Sequence, residues 1–222
     1  MTGSVALYSP PSSIPARNRS MPVTTDNMLA AERRELLTLL HTLSADDWTT
    51  PSLCEGWMVR DVVAHLLWDT VTVRQYLWVA AKYWTPDRIN QYYVDHARAL
   101  STDELVSRFE SVLDGGWLSR IMTGGMLADL VVHQQDIRRP LGRSRVIDQD
   151  RLLHTLNHPN RWVYPRRFMR GLRFVATDID WSHGTGPEVR GTGEALALAI
   201  AGRGVVLDEL DGDGLSVLAE RL

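Results

Sequence analysis

Trp57-Met58-Val59-Arg60-Asp61-Val62-Val63-Ala64-His65-Leu66 and Ala128-Asp129-Leu130-Val131-Val132-His133-Gln134-Gln135-Asp136-Ile137-Arg138-Arg139 are the two stretches from which the rest of the chain is read. Both are apolar at helical spacing, and both carry polar groups that an apolar helix does not bury without a partner, since an unpaired polar group in a core costs about 1–3 kcal/mol. Asp129 and His133 are four residues apart, so they project from one helical face toward one point. His65, on a facing helix, adds a second imidazole. Two imidazoles and one carboxylate are the protein ligands of an open catalytic zinc site, whose fourth position is left for water or substrate. Taken singly, each histidine reads first as a satisfied core or surface residue; the two helices taken together leave that reading and a metal site equally open.

Outward from these stretches, helical periodicity predicts four helices. One runs from Thr25 or Asp26 to Leu43, with Leu29, Leu36, Leu37, Leu40 and Leu43 on one side. The second covers Val59 to Tyr83. The third opens at the capping box Ser101-Thr102-Asp103-Glu104 and reaches Leu113. The fourth runs from Met126 to Arg139, with Pro140 and Gly142 ending it. Four helices that are apolar over much of their girth imply a four-helix bundle, in which metal sites are built from side chains of facing helices. Beyond them the pattern changes. A short helix at Arg151–His158 precedes two short strands, around Phe174–Asp178 and Pro187–Gly191, joined by a glycine-containing turn. Helices at Thr192 or Gly193 to Ala201 and at Leu215 to Leu222 follow. The expected organisation is a disordered lead over 1–24, a metal-binding bundle over 25–145 and a small C-terminal α+β portion over 146–222. The fold class is mainly α. Pro10, Pro11 and Pro15 mark the lead, within which Met21 is an alternative start.

Composition narrows the function classes. Hydrophobic residues at 44% and charged residues at 23% are ordinary for a soluble globular protein of 222 residues. A net charge of −3 offers no general attraction to nucleic acid or anionic lipid. Cys54 is the one cysteine, which excludes an intrachain disulfide and a Cys-rich structural zinc site and fits a reducing cytoplasm. No apolar run has the length of a membrane span. There is no Gly-rich phosphate loop, nucleophile-elbow serine motif or H-E-x-x-H motif, so nucleotide chemistry and serine hydrolysis lack support.

Around the three candidate metal ligands, Asp136 is three residues past His133 and Asp69 four past His65, each placed to accept an imidazole N–H and orient it, or simply to be a solvated helix charge. Among the arginines near the ligands and in the tail, we expect Arg60 and Arg190 to act catalytically and Arg138, together with Trp57, to contact a cofactor. Arginine pairs a carboxylate through two parallel hydrogen bonds. Arg139 and His183 are further candidates, with helix-end and turn roles as the ordinary readings. His154 and His158 form a competing metal pair in a segment that looks like an exposed helix end. Cys54 precedes the second helix, has no histidine near it in sequence, and reads as a small buried residue.

Trp48-Thr49-Thr50-Pro51-Ser52-Leu53-Cys54-Glu55-Gly56-Trp57, followed by Val59-Arg60-Asp61-Val62-Val63-Ala64-His65-Leu66, resembles the signature of the mycothiol-dependent maleylpyruvate isomerase family, within the DinB-like four-helix metalloprotein superfamily. Asp129 to Gly142 resembles the family's later ligand helix, and Asp178 to Leu222 its short C-terminal portion. The resemblance implies a divalent metal, usually zinc, held at His65, Asp129 and His133, and mycothiol as the second cofactor. The family's acid is a glutamate. Asp129 is one methylene shorter and draws a metal toward its helix or weakens its hold. The implied chemistry is thiol activation and transfer to an electrophilic small molecule, with cis–trans isomerisation as a special case. The alternative is a non-catalytic metal- or ligand-binding bundle. A third option, a metal-dependent hydrolase, needs a carboxylate base facing the open position, for which Asp61 and Asp69 are the candidates. The expected partners are a small-molecule thiol and its electrophile, not nucleic acid or membrane, and a homodimer stands as an option.

Overall fold

The computed structural model describes residues 24–161 and 165–222. The expected disordered lead lies outside the described residues except for Thr24. That residue, one before the expected cap, caps α1 (Thr25–Leu40) by accepting from the Asn27 N–H at 3.2 Å. A short α2 (Ala45–Trp48) and a loop lead into α3 (Val59–His65).

The second predicted helix is broken in two. After α3 the chain tightens into a 3-10 turn at Leu66–Thr70, with non-helical backbone at Leu67, and restarts as α4 (Val73–Tyr83). The restart has a local cause: Thr72 and Gln75 form a capping box. The break has a tertiary cause. It turns Asp69 inward, where it pairs with buried Arg33 of α1 and accepts from the Leu118 and Ser119 N–H groups, both at 3.0 Å. Pro86, just beyond the expected end of the second helix, occupies the first turn of α5 (Pro86–Ala97), where its missing N–H costs nothing. After α6 (Thr102–Glu110), α7 (Trp117–Arg138) starts well before the expected Met126. It starts there because Asp69 satisfies its first free N–H groups, and it runs through Gly124 and Gly125 with one irregular residue, Met122. Gly116 is required at this junction: a Cβ there would lie 2.7 Å from the Asp69 carbonyl oxygen.

α7 packs on α1 and α3, and α6 packs on the same two helices, so α1, α7, α3 and α6 close a ring of four. Leu36, Val59, Val62, Leu105, Leu127 and Ile137 are buried in its single core. This is the expected bundle. α5 covers α3 from outside and α4 covers α5.

α8 (Gln149–Asn157) lies along α7, and the C-terminal portion reaches the bundle through it. That portion holds α9 (Pro165–Met169), β1 (Arg173–Ala176), β2 (Ser182–Gly184), β3 (Glu188–Gly191), α10 (Gly193–Ile200) and α11 (Leu215–Ala219). The sheet has three strands, not the two expected, in the order β2-β1-β3. β1 pairs antiparallel with β2 and parallel with β3, so the two predicted strands are neighbours but not a hairpin. Phe174 and Val189 are fully buried beneath the α10 side of the sheet. A second tie is ionic. Glu32 of α1, fully buried, receives Arg145 at 2.6 Å, Arg151, and the Gln134 side-chain amide at 2.8 Å.

Candidate metal centre and its cleft

α3 ends at His65 and α7 passes beside it, which brings the two stretches quoted first into contact. His65 Nε2 lies 3.4 Å from Asp129 Oδ2, and His133 Nε2 lies 3.5 Å from Asp129 Oδ1. The two imidazole rings are 4.8 Å apart. One donor atom from each of the three residues falls within 4.8 Å of the others, and all three side chains are nearly buried. They stand at the floor of a cleft of about 830 Å³, walled by Trp57, Trp68, Tyr76 and Trp84 and edged by Glu55, Asp87, Arg167 and Arg203.

The surroundings hold each group in place. Asp136, fully buried, sits 2.8 Å from His133 Nδ1. Arg203 clasps Asp136 through both oxygens, from Nε at 2.9 Å and Nη2 at 2.7 Å. The Asn160 amide donates to Asp129 Oδ1 at 2.6 Å. The Trp68 indole N–H donates to His65 Nδ1 at 3.2 Å.

Charge is divided unequally between the imidazoles. Burial pushes His65 below its ordinary value despite Asp129 beside it. Burial acts against charge at His133 too, but the carboxylates of Asp129 and Asp136 outweigh it and hold His133 well above its ordinary value. Asp129 is held at about 2: burial would raise it, and the charge of His133 with the hydrogen bond from His65 overcomes that. Asp136 is likewise held well below the carboxylate range, burial being outweighed by Arg203 and His133. The result is a compact run of alternating charge, Arg203–Asp136–His133–Asp129, ending at neutral His65.

This donor set fits a divalent cation. Its composition is two nitrogens and one oxygen, close enough for a single ion, with an orienting carboxylate behind one histidine. One contact opposes that fit: Trp68 at His65 Nδ1.

The other predicted site residues divide clearly. Trp57 lines the cleft, its ring 5.4 Å from that of His65 and its N–H on Gln91 Oε1 at 3.3 Å. Arg60 does not. Its guanidinium bonds the carbonyls of Arg98 and Leu100 at the end of α5, because its place in the first turn of α3 faces that helix. Arg138 does not either; it is drawn into the buried cluster of Glu35 and Gln134 behind the bundle. Arg190 lies on β3, exposed and paired with Asp211 and Glu188, away from the cleft lining. Arg139 joins Glu194 and Glu209. His183 is exposed on β2, stacked on Trp181. His154 and His158 lie side by side, His154 against the Gly124 carbonyl at 3.3 Å. Asp61 caps α3 through the Met58 N–H at 3.0 Å and pairs with Arg98, so neither Asp61 nor Asp69 faces the cleft.

Two residues at the centre were missed. Arg203 lies in the Gly-rich stop after α10, a position with no local signal of a site. Cys54 is half-buried, packed against the core and lining the cleft as well, with Sγ 3.1 Å from Asp136, 3.2 Å from Arg203 and 3.7 Å from His133. Its histidine neighbour is 79 residues away, beyond the reach of local reading.

The fold and the centre together define a class: a helical bundle whose facing helices bring two histidines and a carboxylate to the floor of an aromatic-walled cleft. Within that class, residues 29–115 match the family model described as the mycothiol maleylpyruvate isomerase N-terminal domain. The match includes His65 and ends before α7, so Asp129 and His133 rest on geometry. Two solved structures are similar across nearly the whole length. A mutant of mycothiol-dependent maleylpyruvate isomerase has a TM-score of 0.58 at 14% identity, covering 85% of this chain and 91% of that one. The unmutated isomerase has a TM-score of 0.52 at 15% identity with the same coverage. At such identity they show the shared fold. No curated protein matches the chain in sequence.

Proposed function

We propose that the protein is a mycothiol-dependent enzyme of the isomerase or S-transferase type, acting on a small anionic electrophile, with a divalent cation, zinc by its ligand set, at His65, Asp129 and His133. The observation that carries this reading is the convergence of those three side chains at the floor of an open cleft of about 830 Å³. An opening of that size suits a thiol and a second small molecule together, more than a metal held for structure alone. The family match of the N-terminal domain and the isomerase fold support the choice of thiol.

A bound cation would supply Lewis acidity, lowering the pKa of a thiol at its open position so that the thiolate forms at neutral pH. The chain's own residues do the rest. Asp136 takes the Nδ1 proton of His133 into a hydrogen bond and so presents Nε2 to the centre. Asn160 fixes the rotamer of Asp129. Trp57, Tyr76 and Trp84 give a long polyhydroxylated thiol broad apolar faces to lie on, and Asp87, Asn90 and Gln91 offer polar atoms along the same wall. Arg167 and Arg203 bring positive charge to the opposite edge, suited to a carboxylate on the electrophile. On this reading the division into a metal-binding bundle over 25–145 and a C-terminal portion over 146–222 is functional, because Arg167 and Arg203 come from the second part.

The test is elemental analysis and mycothiol consumption with maleylpyruvate or a model electrophile, on the unaltered protein and on His65→Ala and His133→Ala. One equivalent of metal in the unaltered protein, lost together with activity in the variants, is the expected result. Unchanged metal content in the variants rejects the centre. Metal without thiol consumption rejects the enzyme and leaves the binding bundle.

A further inference from the structure

The Trp68–His65 contact is at odds with the centre it adjoins. An indole N–H can only donate. With that N–H 3.2 Å from His65 Nδ1, the Nδ1 atom must present its lone pair. Neutral imidazole has one lone pair and one proton, so the proton sits on Nε2, directed at Asp129 Oδ2 at 3.4 Å. A cation at Nε2 needs the reverse arrangement, with the proton on Nδ1, where it would meet the indole N–H head on. His133 has no such conflict, since Asp136 accepts at its Nδ1. At Nδ1 the two histidines are therefore set oppositely, His65 presenting a lone pair and His133 a proton.

Beside Trp68 stands the other half of the observation. The Tyr93 hydroxyl is buried and has no hydrogen-bond partner among the described residues. Buried hydroxyls without partners are rare and call for a reason. The Tyr93 ring is 5.0 Å from that of Trp68, edge on, and both line a cavity of about 110 Å³ whose wall also includes His65. Trp68 is the residue shared by the walls of both spaces besides His65 itself. It sits on the 3-10 turn, next to the non-helical backbone of Leu67.

We infer that Trp68 is a positioning residue with two hydrogen-bonding states: on His65 Nδ1 it keeps the histidine in the tautomer that refuses a cation, and on the Tyr93 hydroxyl it frees His65 to bind one. The inference rests on the cation reading of the centre and adds a residue pair that sets the strength of binding. The Tyr93 hydroxyl is the stored acceptor. Without it, a displaced indole N–H would be left without a protein acceptor, and the cation-bound state would lose by that amount.

The first measurement needs no substitution. Ring nitrogen shifts of ¹⁵N-histidine-labelled, chelator-treated protein should show His65 protonated at Nε2, and zinc addition should move that proton to Nδ1. The His65 signals are assigned by their loss in His65→Gln. The second measurement is zinc affinity by chelator competition. Trp68→Phe keeps the ring and removes the donor, and should bind zinc roughly 2- to 10-fold more tightly, the range expected for one net hydrogen bond. Tyr93→Phe should bind it more weakly by a similar factor, and in the Trp68→Phe background it should have no further effect. A purely structural role for these rings would weaken binding in all three variants. Nδ1-protonated His65 in the zinc-free protein, or equal affinity in Trp68→Phe and the unaltered protein, overturns the inference while leaving the cation centre standing. If zinc binds to none of the proteins, the centre itself fails and the inference falls with it.

Discussion

Asp136 Oδ2 stands 2.8 Å from His133 Nδ1, and through that one oxygen the bundle centre is fastened to the C-terminal portion, because Arg203 reaches the same atom at 2.7 Å. A carboxylate behind a ligating imidazole fixes its tautomer and raises its basicity. Asp136→Asn should therefore lower zinc affinity by about 10- to 100-fold, measured by chelator competition. The same change leaves Arg203 half paired in a buried place, so thermal unfolding should also move down. Affinity equal to that of the unaltered protein would show that His133 needs no such support.

Asp69 should contribute to the acid limit of the bundle, beside the more strongly depressed Asp129 and Asp136. Its carboxyl is held below its ordinary 3.8: burial acts to raise it, while Ser119 and Arg33 overcome that. A carboxyl depressed in the folded state contributes stability that is fully present above its unfolded value and is lost as pH falls through the folded one. Stability measured by urea unfolding should thus decline below about pH 4 in the unaltered protein. Asp69→Asn, which leaves Arg33 buried and uncompensated, should cost about 3–5 kcal/mol at pH 7 and flatten that decline. An acid limb of unchanged steepness in the variant would assign acid unfolding elsewhere.

Glu32 should be a structural keystone and nothing more. It is fully buried and joins α1 to Arg145 and Arg151. Removing Glu32 leaves the largely buried Arg145 and Arg151 to share the partly exposed Glu35, so Glu32→Ala should lose about 3–5 kcal/mol in urea unfolding. Replacing the whole cluster by apolar residues of similar volume should cost far less. A loss under 1 kcal/mol for Glu32→Ala, taken as about the value of an exposed pair, would mean that water reaches the cluster.

Arg60→Ala tests the separation of Arg60 from the cleft. Two hydrogen bonds to the carbonyls of Arg98 and Leu100, just past α5, would be lost, at about 0.5–1.5 kcal/mol each. Stability should fall modestly while zinc content and thiol consumption stay as they were. Loss of activity with metal retained would return Arg60 to the reaction.

Local signals carried much of the architecture. Leucine and valine periodicity, the capping box at Ser101 and Glu104, and the Pro140–Gly142 stop were enough to place α1, α6 and the end of α7. The Asp129–His133 spacing brought two candidate ligands onto one face, because helical geometry alone decides which residues share a face. Where local signals went unread, as with Thr72 and Gln75 or Pro86, the sequence still held them.

Other features exist only between distant segments. The break after α3 follows from Asp69 reaching Arg33 and the N-terminus of α7, a gain that no window on residues 59–83 contains. The arginines divide in the same way. Arg60, Arg138 and Arg190 are near the ligands or in the tail, yet each is drawn to a carbonyl or carboxylate elsewhere, while Arg203, far along the chain, meets Asp136 at the centre. Side-chain composition and helical period thus determined that a bundle forms and which face of α7 is polar. Only the packed structure decided which charges neutralise one another, because desolvation makes a buried charge seek the nearest available partner in space, whatever its distance in sequence.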